Sequence, residues 1–182
     1  MFSTREIRVP EDLRSALPWQ WHDDPILPAL YAEAGARGVP LALPEVLAGL
    51  QTHRIDTVYA PPLAAIALQW SAHVRYMSER SASGSLSALV LSRAAWTSLS
   101  EQDRQTLREV VAQAVNLHRP AFLRAESEAL RSLQSRGVTT VTLNESERQR
   151  WVRLFDRTRA RLAGTVSDPA WIARVQTAGR AH

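Results

Sequence analysis

The sequence predicts an α/β fold, with a mostly parallel sheet flanked by helices and a long kinked helix connecting its parts. Three observations lead there. From Leu17 to Ala72 short extended runs alternate with helical runs across brief connections, the pattern in which strands lie parallel and helices cover them. A helical apolar spacing then persists from Ser100 to Arg136. A β-branched run, Val138 to Leu143, follows it.

The elements follow in order. Val9-Pro10-Glu11-Asp12-Leu13-Arg14 predicts a helical turn, because Pro needs no backbone donor at an early position and acids there suit the helix dipole. Leu17 to His22 alternates bulky and polar side chains as a strand does, and Pro18 makes its start an edge. Asp24 caps and Pro25 begins a helix that Gly35 closes. Val39 to Leu43 is a second strand, Pro44 to Gln51 a helix opened by proline, and Ile55 to Tyr59 a third strand broken by Ala60-Pro61-Pro62. A helix from Leu63 to about Ala72 comes next. His73 to Met77 and Leu86 to Leu91 read as extended, around a hinge candidate at Ser81 to Ser85. Ser100 caps the long helix, in which Leu107, Val111, Ala114, His118, Ala121, Ala125, Ala129 and Leu133 form one stripe. His118 is therefore expected to be a hydrogen-bonded core histidine. Pro120 interrupts the backbone ladder and predicts a kink. After Gly137 and the β-branched strand, Asn144 with Glu147 opens a further helix that Gly164 ends.

Composition excludes several chemistries. The 182 residues are 45% hydrophobic and 22% charged, a balance that supports a real core, and six Trp add bulky apolar area. There is no Cys, so disulfides, thiolate metal sites and cysteine nucleophiles are out. All 22 basic residues are Arg, for a net charge of only +4. Most are interleaved with acids and read as solvated surface. Arg148 to Arg161 concentrates six Arg, leaving phosphate binding as a minor alternative to a solvated helix face.

Catalytic signatures are missing. No Gly-rich run lies between a strand and a helix and no Lys is present, which removes a phosphate loop. His22-Asp23-Asp24 offers metal-ligand chemistry, but reads as a capped polar approach to a helix, and no metal or other cofactor is expected. No Ser stands in a nucleophile elbow, so the chain is read as a non-enzyme.

Three segments together resemble the TRAP-transporter solute-receptor (DctP-type) family. They are Ile7 to Arg14; Val39-Pro40-Leu41-Ala42-Leu43-Pro44-Glu45-Val46-Leu47-Ala48-Gly49-Leu50-Gln51-Thr52 with Ile55-Asp56 after it; and Leu91 to Ser100. The likeness corresponds to the family's later half, so it implies a periplasmic-binding-protein-like fold whose first lobe is largely missing. Residues 1–75 would form a second-lobe α/β segment, 76–118 would return to the first lobe and begin the long helix, and 119–182 would hold the rest of that helix, a strand and C-terminal helices. The resemblance implies a periplasmic protein, although Met1 to Arg8 lacks an apolar signal segment. It also implies a small-molecule solute and the membrane subunits of a TRAP transporter as partners.

In the family an Arg clamps a ligand carboxylate from the strand after the Pro-Glu-Asp-Leu turn, and Trp19 occupies that position here. The family's Asn before the Pro that follows the Ile-Asp strand matches Ala60, with Tyr59 beside it. An aromatic residue near the Pro-Glu-Val turn matches Leu43. Trp19, Trp21, Leu43, Tyr59 and Ala60 are thus the candidate ligand contacts, suited to an apolar, aromatic or cationic solute. Core packing remains the alternative for these side chains. A missing first lobe would also leave an apolar strand edge near Leu86 to Leu91, which implies self-association, with a homodimer as the simplest form. Nucleic acid is not an expected partner.

Overall fold

The computed structural model describes residues 1–79, 89–166 and 168–179. Its strands are β1 (Phe2–Ser3), β2 (Trp19–Trp21), β3 (Val39–Leu41), β4 (Thr57–Val58), β5 (Tyr76–Ser78) and β6 (Thr139–Val141). The helices are α1 (Leu27–Ala34), α2 (Val46–Gln51), α3 (Pro62–Ala67), α4 (Arg93–Ser98), α5 (Glu101–Ser135), α6 (Glu145–Leu162) and α7 (Pro169–Gly179). Single 3₁₀ turns occupy Pro10–Ser15, Leu43–Glu45 and Trp70–His73.

Local chemistry sets most of these boundaries. The Asp24 carboxylate accepts the backbone N–H of Ile26 at 2.7 Å, and α1 ends where Gly35 takes a left-handed φ of 71°. Asn144 and Glu147 form a reciprocal capping box: the Asn144 amide oxygen accepts from Glu147 N at 3.0 Å, and the Glu147 carboxylate from Asn144 N at 2.8 Å. Ser100 Oγ accepts from Asp103 N and opens α5, which runs on through Pro120 without ending.

Four strands pair in the order β4-β1-β5-β6, and β2 pairs with β3. A parallel bridge between Pro18 and Thr57 links the two groups. β1 is antiparallel to both β4 and β5, whereas β2–β3 and β5–β6 are parallel. Five of the six strands among the described residues therefore run one way, and only the central β1 opposes them. That makes the sheet mixed, which corrects the sequence expectation at one strand: Phe2-Ser3 is too short to show alternation.

The strand period of two sends neighbouring side chains to opposite sides. Phe2 accordingly joins a core cluster with Trp19, Val46, Leu50, Ile55, Trp70 and Leu133, while Met1 packs with a second cluster around Leu13, Tyr31 and Leu154. Asp56 is buried and joins the sheet to the turn before β2, accepting from Leu17 N at 2.7 Å and from the Thr57 hydroxyl at 2.9 Å. Its other oxygen lies 3.0 Å from the Arg5 guanidinium.

α6 is held by its arginines. Arg157 and Arg161 both reach Glu33 of α1, Arg150 reaches Glu11, and Arg8 grips Glu147 with two bonds of 2.7 and 2.9 Å. Arg148 pairs with Glu145 and Arg159 with Asp156. Five of the six arginines read as a possible phosphate surface are thus spent on acids of this chain.

Several expectations meet a different arrangement. Among the described residues α5 is fully buried only in its last part, at Ala129 and Leu133; Val110, Val115, Leu117, Phe122 and Leu123 are all exposed. His118 is exposed with them and is not a core residue, because nothing packs on that part of the stripe among the described residues. Leu89, Val90 and Leu91 are exposed and form no strand, and the remainder of the expected Leu86 to Leu91 strand, like the hinge candidate at 81–85, lies outside the described residues. α4 is an element the sequence pattern does not predict, and α7 is one of the C-terminal helices that the resemblance implies.

Candidate functional site

Parallel strands deliver loops to a common edge, and ligands of open α/β sheets bind beyond the carboxyl ends of the strands. Trp21 closes β2, Leu43 follows β3 by two residues, and Tyr59 and Ala60 follow β4 directly. All four stand at that edge.

The structure brings Trp19 and Tyr59 face to face. Their rings stack at 4.7 Å between centroids with 18° between planes, and Trp70 meets Trp19 edge-on at 5.4 Å. Trp19 is only 2% exposed, and its indole N–H donates to the Leu41 carbonyl at 3.0 Å. Its backbone carbonyl accepts from the Tyr31 hydroxyl at 2.7 Å. The indole thus forms the floor beneath Tyr59, and Tyr59, half-buried, forms the layer above it. Trp21 and Leu43 are 44% and 41% exposed. Ala60 is partly buried against the first core cluster.

Electrostatics keep the hydroxyls neutral. Burial, with the nearby Asp24 charge adding to it, pushes the Tyr59 phenol up to about 12. Burial likewise raises Tyr31, with Tyr59 and Asp24 contributing further. The Tyr59 hydroxyl is enclosed beside the Trp21 backbone but outside hydrogen-bonding geometry with any partner among the described residues. No basic side chain belongs to the five candidate positions. Among the described residues no group of three or more His, Asp or Glu stands close enough to hold a metal ion, and His22 instead lies 3.1 Å from Asp23 at the surface.

Sequence reasoning missed Trp70, which completes the aromatic layer from a 3₁₀ turn, and Tyr31, whose hydroxyl holds the Trp19 backbone from α1. Nothing in helical or strand periodicity places either beside Trp19. It also missed a cavity of about 310 Å³ lined from β5, β6, α1 and α6, to which none of the five candidate residues contributes.

A mostly parallel sheet with one opposed strand, covered by helices, makes this an α/β lobe. The chain belongs to the bacterial extracellular solute-binding protein family 7, DctP, whose family model matches residues 1–163. Among solved structures it is similar to a TRAP periplasmic solute-binding protein from Shewanella oneidensis with bound succinate, at 20% identity and a TM-score of 0.77, covering 91% of this chain and 54% of that one. A Pseudomonas aeruginosa counterpart with bound L-malate gives 18% identity and 0.75, covering 88% of this chain and 56% of that one. One from Desulfovibrio salexigens with bound orotic acid gives 19% and 0.73, covering 98% and 55%. The chain therefore spans just over half the length of these structures. A search of curated proteins finds no match. No helix among the described residues is long and apolar enough to cross a membrane.

Proposed function

We propose that this chain supplies one wall of a TRAP-type solute receptor on the periplasmic side of a membrane. The wall captures a small solute against a partner lobe, and the closed form is presented to the membrane subunits of the transporter. No covalent step is involved. Closure needs a ligand that binds the closed form better than the open one, so contacts from both lobes contribute.

One observation carries this reading: Tyr59, stacked over Trp19, follows β4 at the edge where Trp21 ends β2 and Leu43 follows β3, both exposed. The relatives' solutes named above are carboxylates. Here apolar side chains stand where the family resemblance places an Arg and an Asn, so a carboxylate would lose its bidentate partner. We infer a solute with a broad apolar or aromatic face.

Titration of a solute panel, followed by tryptophan fluorescence, tests both parts. An aromatic or apolar solute should quench emission in the parent chain and not in Trp21→Ala or Tyr59→Ala. Quenching by succinate and malate alone would overturn the solute class. No response to any solute would remove the receptor reading.

A second reading is favoured by the uncovered face of α5: an interaction module that self-associates. Light scattering is expected to give the mass of a dimer, and Leu117→Glu with Phe122→Glu to return a monomer. A monomeric parent chain would end this reading.

A further inference from the structure

Independently of the solute wall, we propose that the cavity between the ends of β5 and β6 and the inner faces of α1 and α6 is a binding site for a neutral, apolar molecule about the size of two fused aromatic rings. Well-packed interiors hold few voids larger than a water molecule. This pocket, open to solvent on the side where Glu79 and Val152 stand exposed, has a volume of about 310 Å³. An apolar cavity of roughly 150 Å³ takes up benzene, so twice that space suits a bicyclic occupant.

The lining decides the chemistry. Leu13, Leu30, Tyr31, Val141, Trp151 and Phe155 present aliphatic and aromatic surface. Most of the polar atoms around it already bond within the protein. Trp151 Nε1 donates to the Arg8 carbonyl at 2.8 Å, and the Tyr31 hydroxyl donates to the Trp19 carbonyl at 2.7 Å. Ser78 Oγ accepts from the Met1 amine at 3.0 Å. Arg148 spends Nε on Glu145 and Nη2 on the Leu143 carbonyl, both at 3.2 Å. Glu79 stands exposed at the rim, where water solvates it. A charged occupant would lose its hydration against a mainly apolar lining and regain little beyond the unspent N–H groups of Arg148 and the Met1 amine, a cost that a neutral hydrocarbon does not meet.

The test is an NMR titration of the six ¹⁵N-labelled indole groups in the 182-residue chain with naphthalene. Naphthalene-2-sulfonate and 2-naphthylmethylammonium serve as charged counterparts. The Trp151 signal is expected to shift saturably while the exposed Trp171 does not move, and the charged analogues should bind at least about tenfold more weakly. Val152→Trp, at the exposed rim of the cavity, should abolish the shift. Leu30→Phe provides a second filling variant should the first not fold. No saturable Trp151 shift up to the solubility limit of naphthalene overturns the proposal, as does a common drift of all six indoles. A saturable shift that survives the filling variants places the ligand elsewhere, and equal binding of the charged analogues overturns the ligand class.

Discussion

Trp19 carries packing and polarity in one ring, so its loss has two costs. Trp19→Ala would open a void beneath Tyr59 and leave the Leu41 carbonyl without its donor. We expect a destabilisation of about 3–5 kcal/mol, read as a fall in the denaturant midpoint. A loss under about 1 kcal/mol would show that the ring is not a core element. Tyr59→Phe should behave oppositely, because it removes an enclosed hydroxyl outside hydrogen-bonding geometry with any partner among the described residues. Stability is expected to hold or to rise by about 1 kcal/mol; a comparable drop would reveal a hydrogen bond at that oxygen.

Glu147 gives a pH signature. The Arg8 guanidinium, with the Asn144 backbone N–H behind it, holds its carboxyl below the usual carboxylate range. A carboxyl lowered in the folded state binds fewer protons there than in the unfolded chain, so its contribution is present above the ordinary carboxylate pKa and fades as pH falls through the lowered one. Acid unfolding curves should therefore show the parent chain losing stability more steeply than Glu147→Gln below about pH 4.3. Parallel curves would dismiss the linkage.

At the scale of elements, helix ends were legible because they are local: Asp24, Ser100, Asn144 with Glu147, and Gly35 each act within a few residues of their own position. The long helix was legible from its stripe. Its covering was not, because the stripe at Val111 and Ala114 looks like the stripe at Ala129 and Leu133, although only the latter is buried. β1 escaped detection because a two-residue strand owes its place to β4 and β5, which lie 54 or more residues away. The site was readable only in part. Likeness to a family nominated Trp19 and Tyr59, yet the bond from Trp19 to Leu41 and the arrival of Trp70 are tertiary facts. Pro120 tests the cost of a rule broken inside an element. Pro120→Ala, at an exposed position, should raise thermal stability and helical ellipticity, by up to about 3 kcal/mol. Unchanged values would mean that the helix already recovers what the proline removes.

For the whole molecule, the fold is a sheet covered on both sides by helices, with two apolar clusters and an arginine-rich helix tied to acids across the surface. It spans just over half the length of the receptors it resembles. The reading of a receptor wall and the reading of a self-associating module make different demands on α5: the first needs a partner lobe against its uncovered face, the second a copy of the same chain.

Helix α5 itself is about 50 Å long, and among the described residues it is anchored to the core at one end only, where Leu133 and Ala129 are buried, while its first turns carry only the short α4 through Arg104 and Arg108 on Trp96. Such a beam should show a gradient of amide protection in hydrogen–deuterium exchange, slow near Leu133 and approaching the rate of an isolated helix toward Asp103. Uniformly slow exchange along its length would mean that something already lies against the outer two-thirds in solution. The rate profile of this one helix would then locate the contact before any partner is known.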